Sequence, residues 1–541
     1  MLRPGPGAAK IGGVISANRV RTGARAVADE SVGTARALVE LARAGVLTPV
    51  RPDRLARMAT AAVRYGLTLA AGYGAGAARH PDRTAIVDDD GALTFAELHE
   101  RTDRIARALA ASGVGEGTRV GVLCRNHRGP VEMQIALGKL GADAVLFNTG
   151  MSAGQLADVT RELAVHTLLA DPEFTDVPDA CRVLRDLHGL IARGGPGPLP
   201  FRPAGGHTIV LTSGTTGPPK GARRPAPHNL APIAAVLSAI PLRAGEPVHI
   251  AAPLLHTWGH AALQLAMLLG APVTLTRRFE PDRFLEIAAG CDAVFAVPVM
   301  LQRVMERPGE AGMARVVAVS GSALPAGLAT AFLDRFGEVL YNLYGSTEVS
   351  WVSIAGPDDL RAAPGTAGRA PVGTRLAVLD DHGDEVPAGT EGRVFVGNDM
   401  PFEGYTREGA DVERSGGLIG TGDVGRIDAD GRLHLTGRAD DMIVSGGENV
   451  HPGPVEDLIA ARDEVREVAV TGVADEEYGQ CLAAYVVLEP GASVDADTVR
   501  GWVKAELSRF AVPRDVEFLD ELPRNATGKV LNRELGRHPR G

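Results

Sequence analysis

The clearest chemical signal in this 541-residue chain is the string Thr212-Ser213-Gly214-Thr215-Thr216-Gly217-Pro218-Pro219-Lys220-Gly221. It follows Ile209-Val210-Leu211, an apolar run of strand type. Hydroxyls and glycine amides crowded behind a strand make an anion cradle. Glycine lets phosphate oxygens approach the backbone, Ser and Thr donate hydrogen bonds, and Lys220 supplies a positive charge. A Walker A loop requires Gly directly before its Lys, where this chain has Pro219.

Further strings of the same kind follow in order. They are Gly321-Ser322-Ala323-Leu324-Pro325, Tyr341-Asn342-Leu343-Tyr344-Gly345-Ser346-Thr347-Glu348, Thr421-Gly422-Asp423, Gly437-Arg438-Ala439-Asp440, Ser445-Gly446-Gly447-Glu448 and Asn525-Ala526-Thr527-Gly528-Lys529. Tyr344 offers a flat face for adenine, Thr347 a hydroxyl for a phosphate oxygen, and Glu348 a hard oxygen ligand suited to Mg²⁺. Together with the first string, these residues resemble the signature motifs of the adenylate-forming superfamily, which includes acyl-CoA synthetases, peptide-synthetase adenylation domains and luciferases. The resemblance covers roughly residues 80–530.

That resemblance implies an ATP site built from Thr212, Ser213, Gly214, Thr215, Thr216, Gly217, Lys220, Gly321, Ser322, Ala323, Tyr344, Gly345, Ser346, Thr347, Asp423, Arg438 and Lys529. Thr216 and Glu348 would hold Mg²⁺, and Asp423 would accept from the ribose hydroxyls. Lys529 would bridge the substrate carboxylate and the α-phosphate, neutralising charge as two anions approach. Asp440 would be the hinge between a large and a small domain, and Gly446, Gly447 and Glu448 would line a tunnel for CoA. The chain departs from the family in two places. The aromatic residue usual before Thr421-Gly422-Asp423 is absent, and Pro454 replaces the first Glu of the small-domain motif. The implied reaction makes acyl-AMP and pyrophosphate from a carboxylic acid and ATP, then passes the acyl group to CoA.

The region Pro253 to His260 has no carboxylate to pair with an ammonium, and a buried unpaired ammonium is costly. A hydrophobic acid is therefore expected, with His256 as a catalytic and pocket residue and Trp258 and Gly259 as pocket walls. A fatty acid is the first expectation and an aryl or branched acid the alternative. A carrier protein in place of CoA, and a catalytically silent membrane-associated binding protein, are further alternatives.

The elements that must position these residues read as α/β. Strand-like and helix-like runs alternate from about residue 80 to 340, as in a layered α/β domain. Thr94 and Glu97 form a capping box before a helix with Leu98, Ile105 and Leu109 on one side. Short strands among Gly and Asp turns from 365 to 437 predict a small β-rich subdomain, and a compact, mobile α+β domain follows. The expected division is a basic extension over 1–79, an AMP-binding domain over 80–438 and a small domain over 439–541.

Composition sets the outer bounds. The net charge of −10 and aromatic content of 4% argue against nucleic-acid binding. Four dispersed cysteines give no metal-ligand or disulfide spacing, which fits the cytoplasm. The first 80 residues run against the trend, with twelve Lys and Arg against four Asp and Glu. There Leu55, Met58, Ala59, Ala62, Val63 and Leu69 share a helical face. That predicts a helix docked on the body or touching the inner membrane face peripherally. The charge-free stretch from His249 to Thr276 is read as buried core and pocket wall, because its histidines and prolines suit lipid poorly.

Overall fold

The computed structural model describes residues 35–203, 206–212, 220–224, 229–309, 312–400, 404, 412–445, 448–475, 479–525 and 528–535. Among them four β-sheets organise the chain. An eight-stranded sheet runs in the order Ser353–Ala355, Leu340–Tyr344, Val316–Val319, Ala293–Ala296, Val248–Ile250, Val273–Leu275, Thr84–Asp88 and Gly91–Thr94. Its inner pairings are parallel, and only the two edge pairings are antiparallel. A six-stranded sheet runs Arg182–Leu184, Thr167–Ala170, Arg119–Leu123, Asp143–Leu146, Thr208–Thr212 and Lys220–Arg224. Parallel strands are covered on both faces, so Val316–Val319 and Ala293–Ala296 read as unbroken apolar runs, and every residue in them is buried.

Local signals explain the helices that flank these sheets. Thr94 caps helix Phe95–Ala110 with the reciprocal Glu97 bond of a capping box, and Leu98, Ile105 and Leu109 are buried. Residues 249–276 form strand, helix Thr257–Leu268 and strand, as core and wall. No helix among the described residues is long and apolar enough to cross a membrane.

The expected β-rich subdomain is present as Arg375–Leu379, Gly392–Gly397, Arg414–Ser415, Leu418–Ile427 and Leu433–Arg438. Beyond it lies an α+β domain. There Val465–Asp475 and Gly479–Leu488 pair as a long hairpin, under helices Pro452–Ala460 and Ala496–Glu506. Its own core gathers Ile443, Val455, Ile459, Leu482, Val486, Val499 and Val503.

The N-terminal extension differs from its sequence reading. Among the described residues it is helical over 35–43 and then forms the helices Pro52–Tyr65 and Leu69–Arg79, broken at Gly66, whose φ is +64°. The predicted apolar face of the first helix turns largely outward: Leu55 and Val63 are 55% and 52% exposed. The packed side instead carries Met58, Ala61 and Tyr65. Small size rather than hydropathy chose that side, since Ala61 lies against Gly74 of the next helix, where backbones approach closely. Leu41, Ala44, Leu69, Ala70, Ala71 and Tyr73 share one core with Ile86, Leu263 and Ala266, so residues 41–73 are built into the large domain.

Candidate active site

The loops that follow Val316–Val319, Leu340–Tyr344 and Ala293–Ala296 leave the carboxyl ends of parallel strands, where open α/β sheets place their ligand crevices. A cavity of about 1110 Å³ opens there. Gly321, Gly345, Ser346, Thr347 and Glu348 line it from the large domain, and Arg438, Asp440 and Lys529 from the junction with the small one. Sequence reading had scattered these residues over more than 200 positions, and the fold brings them to one space. His256, Trp258 and Gly259 line the same space.

Lys529 is held by its own turn. Gly528 takes φ +79°, a conformation that suits glycine, and its amide donates to the Asn525 carbonyl at 2.9 Å. The Lys529 amide donates to Asn525 Oδ1 at 2.9 Å. Arg524 ties the turn down, donating to the Gly528 carbonyl at 2.6 Å and to Glu467 at 2.9 Å. The side chain opens onto the cavity. Protein crowding around its ammonium, with the Arg438 charge, lowers its pKa from the usual lysine value against the pull of Asp441, Asp423 and Asp440.

Arg438 is the electrostatic centre. Its Nε donates to Asp440 Oδ1 at 2.9 Å, and its Nη1 lies 3.7 Å from Asp423 Oδ1. Burial opposes the Asp440 charge, but the Arg438 bond prevails and its carboxyl sits below the ordinary range. Asp423 goes the other way. Burial raises its pKa despite a hydrogen bond from Tyr344 and the charges of Arg438 and Lys529. Tyr344 therefore serves Asp423 through its hydroxyl, a contact no sequence signal announced. Neither Tyr344 nor Asp423 is among the described residues that line the cavity itself; nor are Ser322 and Ala323.

The apolar wall is set by helix Thr257–Leu268. Trp258 is 7% exposed, donates its indole N–H to the Ala296 carbonyl at 3.0 Å and packs on Phe295. A side chain at Gly259 would sit 2.1 Å from the Pro253 carbonyl oxygen. Backbone packing thus demands glycine at this position, which also lines the cavity. His256 stands at the helix start with its Nε2 buried and without a partner among the described residues, and burial lowers its pKa to about 4. It is neutral at physiological pH and can give or take one hydrogen bond. Thr257 Oγ1 lies 3.2 Å from Thr347 Oγ1, joining the apolar wall to the polar one.

Thr212 and Lys220 face each other in register across an antiparallel pair. Ser213, Gly214, Thr215, Thr216 and Gly217 lie outside the described residues, as do Gly446 and Gly447. Glu448 begins the strand Glu448–Val450 in the small domain. Glu348 is a hard oxygen donor on the cavity wall, a chemistry that fits magnesium.

Known proteins share this architecture. The AMP-binding enzyme family matches residues 75–406, and the AMP-binding enzyme C-terminal domain matches 454–529. A feruloyl-CoA synthase of Amycolatopsis sp is 33% identical over 474 residues, covering 84% of this chain and 96% of its own. A 2-succinylbenzoate–CoA ligase of Geobacillus kaustophilus is 32% identical over 471 residues, covering 84% and 95%. The o-succinylbenzoate CoA synthetase of Bacillus subtilis, solved with its acyl-adenylate intermediate, superposes with a TM-score of 0.78 at 27% identity, covering 86% of this chain and 97% of that one. The same synthetase has been solved with ATP and magnesium ion.

Proposed function

The chain belongs to the AMP-binding enzyme family, and from that premise we propose that it is an AMP-forming acid–CoA ligase for an apolar carboxylic acid. Lys529 and Glu348 lining one cavity that runs on past Trp258 to the apolar Leu265, Met267 and Leu268 carries this reading.

In the first step the acid's carboxylate attacks the α-phosphorus of ATP and pyrophosphate leaves. Two anions must meet, and Lys529 supplies the positive charge between them. Magnesium, held by Glu348 and Thr216, would add Lewis-acid screening of the phosphates. Asp423, steadied by Tyr344 and Arg438, accepts from the ribose hydroxyls. Thr212, Lys220, Gly321 and the segment Gly345 to Thr347 surround the nucleotide.

In the second step the CoA thiol takes the acyl group and AMP leaves. The division between domains falls at 438 and 439. The small domain rotates there about Asp440, whose bond to Arg438 must break, and Gly446, Gly447 and Glu448 then face the thiol's path. Neutral His256, whose buried Nε2 has no partner among the described residues, would exchange one hydrogen bond with the acid.

The names of the relatives favour an aryl acid over the fatty acid expected first. The fatty reading keeps one observation in its favour, the apolar reach of the cavity past Trp258 to Leu265 and Met267. Pyrophosphate release across aryl and alkyl acids, with and without CoA, separates the two. Release with no acid of either kind would reject the ligase reading. We also place the enzyme in the cytoplasm, with the exposed Leu55 and Val63 beside Arg57 as a contact for anionic membrane. Co-sedimentation with anionic vesicles tests that contact, and equal binding after Leu55→Ser and Val63→Ser would end it.

A further inference from the structure

The cavity does not stop where the family match begins at residue 75. Its wall continues through Met58, Ala62 and Gly72, which precede that match, and through Leu265, Met267 and Leu268 of the helix that also carries Trp258. The helix that carries Gly72 is anchored in the fold's core, since its Ala70 and Ala71 are buried with Leu265 and Ala266. The segment is also stitched down. The Ala244 amide donates to the Ala44 carbonyl at 2.7 Å. Arg79 donates to the Val46 carbonyl at 3.2 Å, and Arg83 to the Gly245 carbonyl at 2.9 Å. The arginines at this end thus spend donors on backbone oxygens and hold the wall together.

One contact in this wall is specific. A Cβ at Gly72 would fall 2.1 Å from the Met267 sulfur. The two helices therefore meet through a glycine and a flexible thioether, and both residues line the cavity. Methionine adapts its shape readily, while glycine fixes how closely the wall can stand.

We propose that residues 45–76 complete the acid pocket of this enzyme, and that Gly72 and Met267 gauge the length of an apolar tail carried by the acid beyond its carboxylate end. The substrate class is then an extended lipophilic carboxylic acid, larger than a single-ring aryl acid. The inference rests on the ligase reading, because it takes the cavity as the acid site.

The test uses the full-length enzyme and pyrophosphate release with benzoates bearing para-alkyl chains of increasing length. The readout is the ratio of kcat/KM for the longest to the shortest acid. Gly72→Leu displaces the Met267 side chain into the cavity and lowers that ratio by about tenfold or more; Met267→Ala enlarges the cavity there and raises the ratio by a similar factor. Melting temperature and circular dichroism report whether Gly72→Leu folds, and Met267→Ala stands as the independent variant if it does not. A ratio unchanged within about twofold in every folded variant would overturn the proposal while the ligase reading stands. Absence of pyrophosphate release from the wild type with any acid would instead strike the ligase reading.

Discussion

The Tyr344 hydroxyl donates a hydrogen bond to a carboxylate oxygen of Asp423, joining two motifs 79 positions apart. Burial raises the Asp423 pKa, and the Tyr344 bond is the first influence drawing it back. Tyr344→Phe removes that bond. Asp423 then protonates at a higher pH than in the wild type, so the acidic limb of ATP affinity shifts toward neutrality. The KM for ATP at pH 7 should rise about tenfold, as expected for one hydrogen bond to a charged group, with the KM for the acid little changed. A pH profile of KM for ATP that overlays the wild type would remove Asp423 from nucleotide binding.

Lys529→Ala should slow pyrophosphate release by about a hundredfold or more, the scale of one lost electrostatic stabiliser. The same variant should still convert chemically prepared acyl-AMP and CoA to the thioester. Equal losses in the two assays would show that Lys529 serves structure rather than the first step.

Asp440→Pro fixes the backbone at the proposed pivot and deletes the carboxylate bonded to Arg438. Thioester formation from acyl-AMP should fall roughly tenfold or more, with the first step far less affected. Single-turnover measurements of each step decide this, and a loss confined to the first step would contradict the pivot.

Glu456 is half-buried in the small domain, where it accepts from the Val470 amide at 2.7 Å. Burial, aided by the neighbouring Asp457 and Asp441 charges, raises its pKa from 4.5 to about 7. The folded state therefore holds a proton that the unfolded chain releases near pH 4.5. This contribution to stability falls as pH rises from there to about 7 and is flat above. Glu456→Gln keeps the acceptor and removes the titration. It should stabilise the protein by about 1–3 kcal/mol at pH 8 and by little at pH 4.5. Thermal melting across that range provides the check, and parallel curves for both proteins would refute it.

Local signals were the most legible in the sequence. The Thr94–Glu97 box lies within four residues, and the strands Val316–Val319 and Ala293–Ala296 needed only an unbroken apolar run. The order of motifs placed Lys529, Glu348 and Arg438 in one site because each string carries its own turn chemistry. Contacts set by the third dimension were hidden. Nothing local in Tyr344 announced Asp423. Gly259 was legible as a pocket wall, but the Pro253 carbonyl that requires glycine there was not. The helix Pro52–Tyr65 showed an apolar face at Leu55 and Val63, whereas packing followed the small residue Ala61 against Gly74.

The acid's own oxygen offers the most direct test of the mechanism. Supplied with an acid whose carboxylate carries heavy-oxygen label, together with ATP, magnesium and CoA, the enzyme should release AMP bearing one labelled oxygen and pyrophosphate bearing none. Label in pyrophosphate or inorganic phosphate, or unlabelled AMP alongside thioester, would contradict activation of the acid as its adenylate.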